Sequence, residues 1–512
     1  MKASIRCKLL SAKRRIARRL RPRQWTNQPR PMFSAQNIQY EIAERTQGLA
    51  SGGIGAMHLL ARRIGLIETI DRHLHLLKQH KPYHESDHVL NIAYNLLCGG
   101  TRLEHLELRR NDEVYAKALG AQRIPDPTTA GDFCRRFSAL DVLKLMQIFN
   151  RVRQRVWRQQ PPEFFDHAVI DADGTLAPTY GECKQGMDIG YDGQWGYQVL
   201  LLSLANTGEP LYFFNRSGNR PSHEGAAVFF DLAIGVCREA GFRKITIRGD
   251  ADFSQTKYLD DWHEDHVRFI FGFDANDSVK AEVEKLPETA WKPLVRRVKH
   301  TLKTSPRQKP ENVKEQIVVQ REFKNERLLG EEVAEFPYRP AACKHTYRMV
   351  VVRKLIQTTQ GQQWLFDTQV PFFYITNDWE APPEAIVVEE ANQRCNQENL
   401  IGQMKSGVRA LDMPVDNLVS NWAYLVMAAL AWSLKAWAAL LLPETGHAAE
   451  TKRHEKQKLL RMEFKTFLNA WIQLPCQILR AGGRLIYRFL SWNPWQAAFF
   501  RLLDQLRHPL RC

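Results

Sequence analysis

Cysteine is sparse in this chain, nine residues in 512, and none forms a CxxC pair or a close cluster with histidine. That scatter, from Cys7 to Cys512, excludes a disulfide framework and a thiolate zinc site, and a reducing, cytosolic compartment is expected. Long apolar runs are also missing. The best stretch, residues 418–442, is interrupted by Asn421 and Lys435 and falls short of the roughly 20 apolar residues of a membrane span. It reads as a helix buried on both sides, and no membrane partner is expected. There is no internal repeat and no low-complexity tract. Acidic residues are absent from the first 30 positions, which carry eleven lysines and arginines, among them Arg14, Arg15 and Arg18. No apolar segment follows, which argues against a secretory signal and for a basic nucleic-acid arm.

What is present is cationic. Lysine and arginine number 72 against 56 aspartates and glutamates, a net charge of +16. Such an excess favours a polyanionic partner and says nothing about fold. With 44% hydrophobic and 25% charged residues the chain has the composition of a folded globular protein, long enough for roughly two to four domains.

Periodicity divides the chain into a basic arm (1–35), an α-helical region (36–160), the first part of an α/β core (161–280), a β-rich insertion (281–374), the second part of the core (375–445) and a basic helical C-terminal region (446–512). In the helical region Asp126-Pro127 signals a helix start, and Arg135, Arg136, Arg151, Arg153 and Arg155 give basic faces suited to DNA or simply to solvent. The core opens with three short strands, HAVIDAD, GYQVLLLSLA and EPLYFFNR. A helix, the strand KITIRGD, a second helix and the strand VRFIFGF follow. A meander followed by βαβ units predicts a mixed sheet. The insertion starts with a stretch, residues 290–310, that holds seven lysines and arginines and no acid. It contains Arg296, Arg297 and Lys299, the second candidate DNA contact. EQIVVQREF, HTYRMVVVRKLI and QQWLFDTQ then alternate as strands, and PFFYITN reads as a final strand rejoining the core.

Four carboxylates end or lie on core elements. Asp171 and Asp173 close the first strand in VIDADGT, Asp250 closes the fourth in ITIRGDADF, and Glu398 lies within a helix in NQRCNQENL. Strand ends sharing one edge, with a helical carboxylate folded onto it, bring like charges together at a cost that a cation relieves. Hard oxygen ligands suit Mg²⁺ or Mn²⁺, and a pair of such ions serves in-line phosphoryl transfer. Taken singly, a strand-end aspartate is more often a turn former. The spacing Arg394-x3-Glu398-x6-Lys405 adds the second half of the pattern, because residues three to four apart share a helix face and Lys405 returns to it two turns later. A carboxylate flanked by two cations suits a phosphodiester; an intrahelical salt bridge is the plainer reading.

That spacing, after a β-rich insertion, resembles the YREK signature of bacterial insertion-sequence DDE transposases. The D-G-T at Asp173 and the R-G-D at Asp250 are similar to the first two catalytic motifs of that group. The resemblance spans roughly residues 40 to 440. It implies an α/β fold with a ribonuclease-H-like mixed-sheet core carrying a β-rich insertion, flanked by N-terminal and C-terminal α-helical regions. It implies a catalytic triad of Asp173, Asp250 and Glu398 holding Mg²⁺, with Mn²⁺ as substitute and Asp171 as a further candidate ligand. Arg394 and Lys405 would contact DNA phosphates. The implied partners are double-stranded DNA, as terminal inverted repeats and as target, and a second copy in a homodimer on DNA, acting at the bacterial nucleoid. The signature's tyrosine falls at Ala391, a departure from the pattern.

Two other readings stay open at this level. VIDADGTL also matches the DxDGT loop of haloacid-dehalogenase-type phosphatases, with Asp171 as nucleophile and Asp173 as acid/base. That fold needs a helix or cap soon after the motif, whereas two β-runs follow here. A transposase-derived protein that only binds DNA through its basic helices is the non-enzymatic alternative.

Overall fold

The structure, a computed structural model, describes residues 3–21, 32, 35, 38–41, 46–181, 184–296, 316–317, 320–321, 324–360, 363–446, 448–508 and 510. The arm is a helix, α1 (Ala3–Arg19). Its stripe of Ile5, Leu9, Ala12 and Ile16 is half-buried at helical spacing, and it leans on the C-terminal helix Gln496–Gln505. Arg14, Arg15 and Arg18 lie exposed.

After β1 (Gly48–Leu49), the predicted helical region forms α2 (Ile54–Arg63), α3 (Leu66–His73), α4 (Glu85–Leu97), α5 (Leu106–Arg110), α6 (Glu113–Leu119), α7 (Pro127–Arg135) and α8 (Ala139–Trp157). Asp126 caps α7 as its sequence signals, accepting from the Thr129 amide at 2.8 Å with Pro127 in the first turn. Most of the basic faces here serve the fold rather than a ligand. Arg153 is buried, Arg155 donates to the Ile64 and Gly65 carbonyls, and Arg135 bridges Asp132 and Asp416.

The core strands follow the expected order. β2 (His167–Pro178), β4 (Trp195–Leu204) and β5 (Glu209–Ser217) form an antiparallel meander, with the two-residue β3 (Asp188–Ile189) on β4. After α9 (Ala226–Ala240), β6 (Lys244–Gly249) pairs parallel to β2; after α10 (Leu259–Glu264), β7 (Arg268–Phe273) pairs parallel to β6. The result, β5-β4-β2-β6-β7, is a ribonuclease-H-like mixed sheet.

The insertion lengthens this sheet. Beyond α11 (Asp277–Glu284) come β8 (Lys292–Pro293), β9 (Lys324–Tyr338), β10 (Tyr347–Gln360) and β11 (Gln363–Thr376), and β11 pairs with β7 to give one ten-stranded sheet. QQWLFDTQ and PFFYITN are therefore a single strand. Pro371 lies past the last residue of β11 that pairs with β7, where β11 has a neighbour on one side only and a sheet tolerates proline. β9 escapes a sequence reading because KNERLLGEE does not alternate. Of the strand expected at 315–323, only residues 316, 317, 320 and 321 are described, and Gln316, Ile317 and Gln320 among them are helical.

The apolar stretch near residue 420 forms the helix Leu418–Leu440, whose apolar window is entirely buried in protein. It packs on α2, α4, α7, α8 and β5 and so joins the N-terminal helices to the sheet. Glu209 is the polar hub of that junction: fully buried, it accepts from Arg153 Nε (3.1 Å), Trp157 Nε1 (3.0 Å) and Trp437 Nε1 (2.9 Å). The C-terminal region has its expected helices, Ala449–Leu460 and Gln496–Gln505, and in addition a hairpin, β12 (Cys476–Ala481) and β13 (Arg484–Phe489). β12 pairs with β1, and the Tyr487 hydroxyl donates to the Ala118 carbonyl at 2.7 Å, so this segment closes onto the N-terminal helices.

Candidate active site

The parallel register of β2 and β6 dictates where the first two carboxylates meet. Pairing ends at Asp171 opposite Arg248, and both chains continue. Two residues further on, with side chains back on the same face, stand Asp173 and Asp250. Two glycines make room for them. A Cβ on Gly174 would lie 2.8 Å from the Ser222 side chain, and one on Gly272 would lie 2.7 Å from the Ala251 amide nitrogen, just past Asp250. Arg216 holds the loop over Gly174 by donating to the carbonyls of Pro221, Ser222 and Glu224.

The third carboxylate arrives on an irregular helix spanning 383–407. A π segment, Ile386–Glu390, gives way to a 3₁₀ turn, Ala391–Arg394, then to α-helix, Cys395–Gly402, and again to π, Gln403–Gly407. Such breaks leave carbonyls free and recur at functional sites. Here the Glu390 carbonyl accepts from Arg248 Nη1 at 2.6 Å, and Gln397 fastens the next turn by donating to the Leu201 carbonyl at 3.0 Å and accepting from the Ser203 hydroxyl.

The sequence-predicted residues Asp173, Asp250, Glu398 and Arg394 come together. The Arg394 guanidinium sits among the three carboxylates: Nη1 lies 3.2 Å from Asp173 Oδ2 and 4.0 Å from Asp250 Oδ2, and Nη2 lies 4.0 Å from Glu398 Oε1. Burial pushes the Asp173 carboxyl up to about 6; Arg394 opposes that shift, and Asp250 and Glu398 add to it. The Asp250 carboxyl is raised as well, chiefly by burial. Lys405 is on the rim, its ammonium held below the usual range by burial against the pull of Asp173 and Asp192.

Asp171 has another employment. Its side chain is 1% exposed, and both oxygens accept from Arg248, at 2.7 Å from Nε and 2.9 Å from Nη2. A carboxylate so buried and so engaged is committed to the ion pair, turned away from the metal-ligand role and from the nucleophile role of a phosphatase that its motif suggests. Sequence reading singled out neither Arg248 nor Gln397. The signals were present: Arg248 precedes Asp250 by two, so it faces the same way, and Gln397 is next to Glu398. Arg296 is paired with Glu331 on β9 and lies near Tyr374 of β11. Tyr374 packs in a small apolar cluster with Ala391, and Arg394 and Arg296 both oppose the burial that raises its phenol. Arg297 and Lys299 lie outside the described residues.

Among the described residues no three carboxylate, imidazole or thiol groups are closed to ligand spacing. The guanidinium stands at the centre instead. The donor set nevertheless fits a hard divalent ion, since all its members are oxygen anions, one of them costly to keep charged, already gathered about a cation.

Asp173 lies within β2, which runs on to Pro178 rather than closing at the motif, Asp250 follows the end of β6, and Glu398 is on a later helix: a ribonuclease-H-like sheet with acids so placed is suited to metal-dependent phosphoryl transfer. The family model for transposase DDE domain group 1 matches residues 39–510, and the chain belongs to that family. It is a DNA transposase, an enzyme of phosphodiester cleavage and strand transfer that works with divalent metal ions on DNA. A solved piggyBac transposase synaptic complex with hairpin DNA is similar over 82% of this chain and 81% of that chain, at 10% identity and a TM-score of 0.36. No curated protein shows significant sequence similarity to this chain.

Proposed function

We propose that the protein moves the DNA segment encoding it by a cut-and-paste route, with Asp173, Asp250 and Glu398 as the catalytic acids. The observation that carries this is the convergence of all three on one guanidinium, from a strand, a strand end and a helix separated by 77 and 148 positions. These acids would hold Mg²⁺, or Mn²⁺ in its place, which supplies activation of the attacking hydroxyl and stabilisation of the leaving oxygen. Lys405, at the rim, and Arg394 bind the phosphates of the strand being cut. Asp171 acts through Arg248, which ties the site helix to the sheet at Glu390. Tyr374 takes the place beside Arg394 that Ala391 leaves empty. The exposed cations of α1 grip DNA outside the site, and two copies pair the two ends.

The test is cleavage of a DNA fragment spanning the gene's own flanks, with Mg²⁺ or Mn²⁺, by wild type and by Asp250→Asn and Glu398→Gln. Nicks at inverted repeats in wild type only, with DNA binding kept in both variants, are expected. Retained cleavage in either variant removes that residue from the site.

A further inference from the structure

We propose that Arg394 is an exchangeable internal counter-cation: it holds the three carboxylates together until DNA phosphate draws it away, so that metal loading and DNA binding are coupled through one side chain. The inference rests on the reading of Asp173, Asp250 and Glu398 as metal ligands.

Two arginines meet the acids of β2, and their geometries differ in kind. Arg248 is locked, 4% exposed, bidentate on Asp171 and bonded to the Glu390 carbonyl. Arg394 is shared. Among the described residues its side chain makes one hydrogen bond, at 3.2 Å, and meets the other two acids only at 4.0 Å, with a fifth of its side chain open to solvent. A guanidinium spread over three partners at the limit of contact satisfies none fully, whereas a phosphodiester offers it two acceptor oxygens in matching geometry.

A divalent ion and a guanidinium cannot occupy the same ring of carboxylates, because each repels the other at that range. Without DNA, Arg394 therefore competes with the metal. With DNA, the phosphate competes for Arg394 and the seat is vacated. Lys405 is the other cation near Asp173, and it stands on the exposed rim rather than among the acids. By linkage, DNA must raise metal affinity by the same factor by which metal raises DNA affinity. The protein so built keeps its acids partly compensated, and its metal site occupied by its own cation, away from DNA.

The experiment measures Mn²⁺ binding to the full chain from the electron paramagnetic resonance signal of free Mn²⁺, with and without a duplex from the gene's flanks. Thermal unfolding confirms that each variant is folded. Arg394→Gln should bind Mn²⁺ about tenfold more tightly than wild type without DNA, the factor expected when about three partly exposed ion pairs are relieved. Arg394→Lys, which keeps the charge, should stay within about threefold of wild type. The duplex should tighten Mn²⁺ binding in wild type and much less in Arg394→Gln. Asp250→Asn should abolish the site in every background. If wild type has an Asp250-dependent Mn²⁺ site and Arg394→Gln binds equally or more weakly, the exchange is refuted and the metal site stands. If wild type has no Asp250-dependent site with or without DNA, the metal-site reading falls and the exchange falls with it.

Discussion

Replacing Asp171 by asparagine separates two roles that the sequence leaves merged. In the structure Asp171 and Arg248 are a closed pair, 1% and 4% exposed, joined by two hydrogen bonds of 2.7 and 2.9 Å. Asparagine keeps the shape and one acceptor oxygen but sets its NH2 against the other guanidinium N–H and removes the countercharge, leaving Arg248 charged and buried with only neutral acceptors, the amide oxygen and the Glu390 carbonyl. Breaking one side of a buried pair typically costs about 3–5 kcal/mol, a large part of the roughly 5–15 kcal/mol that holds a domain folded. Urea unfolding should therefore show Asp171→Asn destabilised by about that amount. Asp171→Leu with Arg248→Met, which removes both charges, should recover most of the loss, because a satisfied ion pair is worth little more than an apolar one of the same volume. Mn²⁺ affinity, measured at a temperature where the variant remains folded, should change by less than about threefold. The reasoning is refuted if Asp171→Asn is as stable as wild type and loses Mn²⁺. That combination would make Asp171 a ligand.

The structure carries four further expectations. With the Asp173 carboxyl raised to about 6 from an ordinary 3.8, protons compete with metal, so Mn²⁺ affinity should fall steadily below about pH 6 and level off above it; a flat profile between pH 5 and 7 would contradict the burial of Asp173. The native state also binds this proton more readily than the unfolded chain, so the group's unfavourable contribution to metal-free stability grows as pH rises from about 4 to 6 and is offset when a cation binds. Glu209→Gln, at the hub of Arg153, Trp157 and Trp437, should lower stability by about 3–5 kcal/mol in urea unfolding while sparing DNA affinity in the folded protein, and a neutral effect would deny the hub its role. Neutralising Arg14, Arg15 and Arg18 should flatten the salt dependence of DNA binding by roughly one unit of slope for each phosphate that α1 no longer neutralises, with metal affinity unchanged; an unaltered slope would free α1 from any part in gripping DNA.

Much of this was legible in one dimension because it depends on local period and spacing. The strand order of the core, the cap at Asp126 and the burial of the helix Leu418–Leu440 each follow from residues a few positions apart. The candidate acids stood out for a related reason: each lies in a short motif on a core strand, just past one, or at fixed helical spacing from its cations. What escaped has the opposite character. β9 is stabilised by its neighbour β10 and not by its own alternation, and β12 and β13 exist because residues 48–49 offer a distant edge.

The division is sharpest at the two aspartates of the first motif. The sequence by itself determined that Asp171 and Asp173 point to the same side of a strand, since side chains alternate along any extended chain. Only the tertiary structure decided that they differ. The register of β2 against β6 sets Arg248 opposite Asp171 and, two residues on, where β6 has ended at Gly249, brings another acid, Asp250, beside Asp173. One carboxylate is thereby paired within the sheet, and the other, still on β2 but beyond the last β6 pair, is left mostly buried beside two more acids, with one guanidinium shared among the three. Register is a relation between strands 77 positions apart, settled by how the core packs, and no local pattern in either strand encodes it.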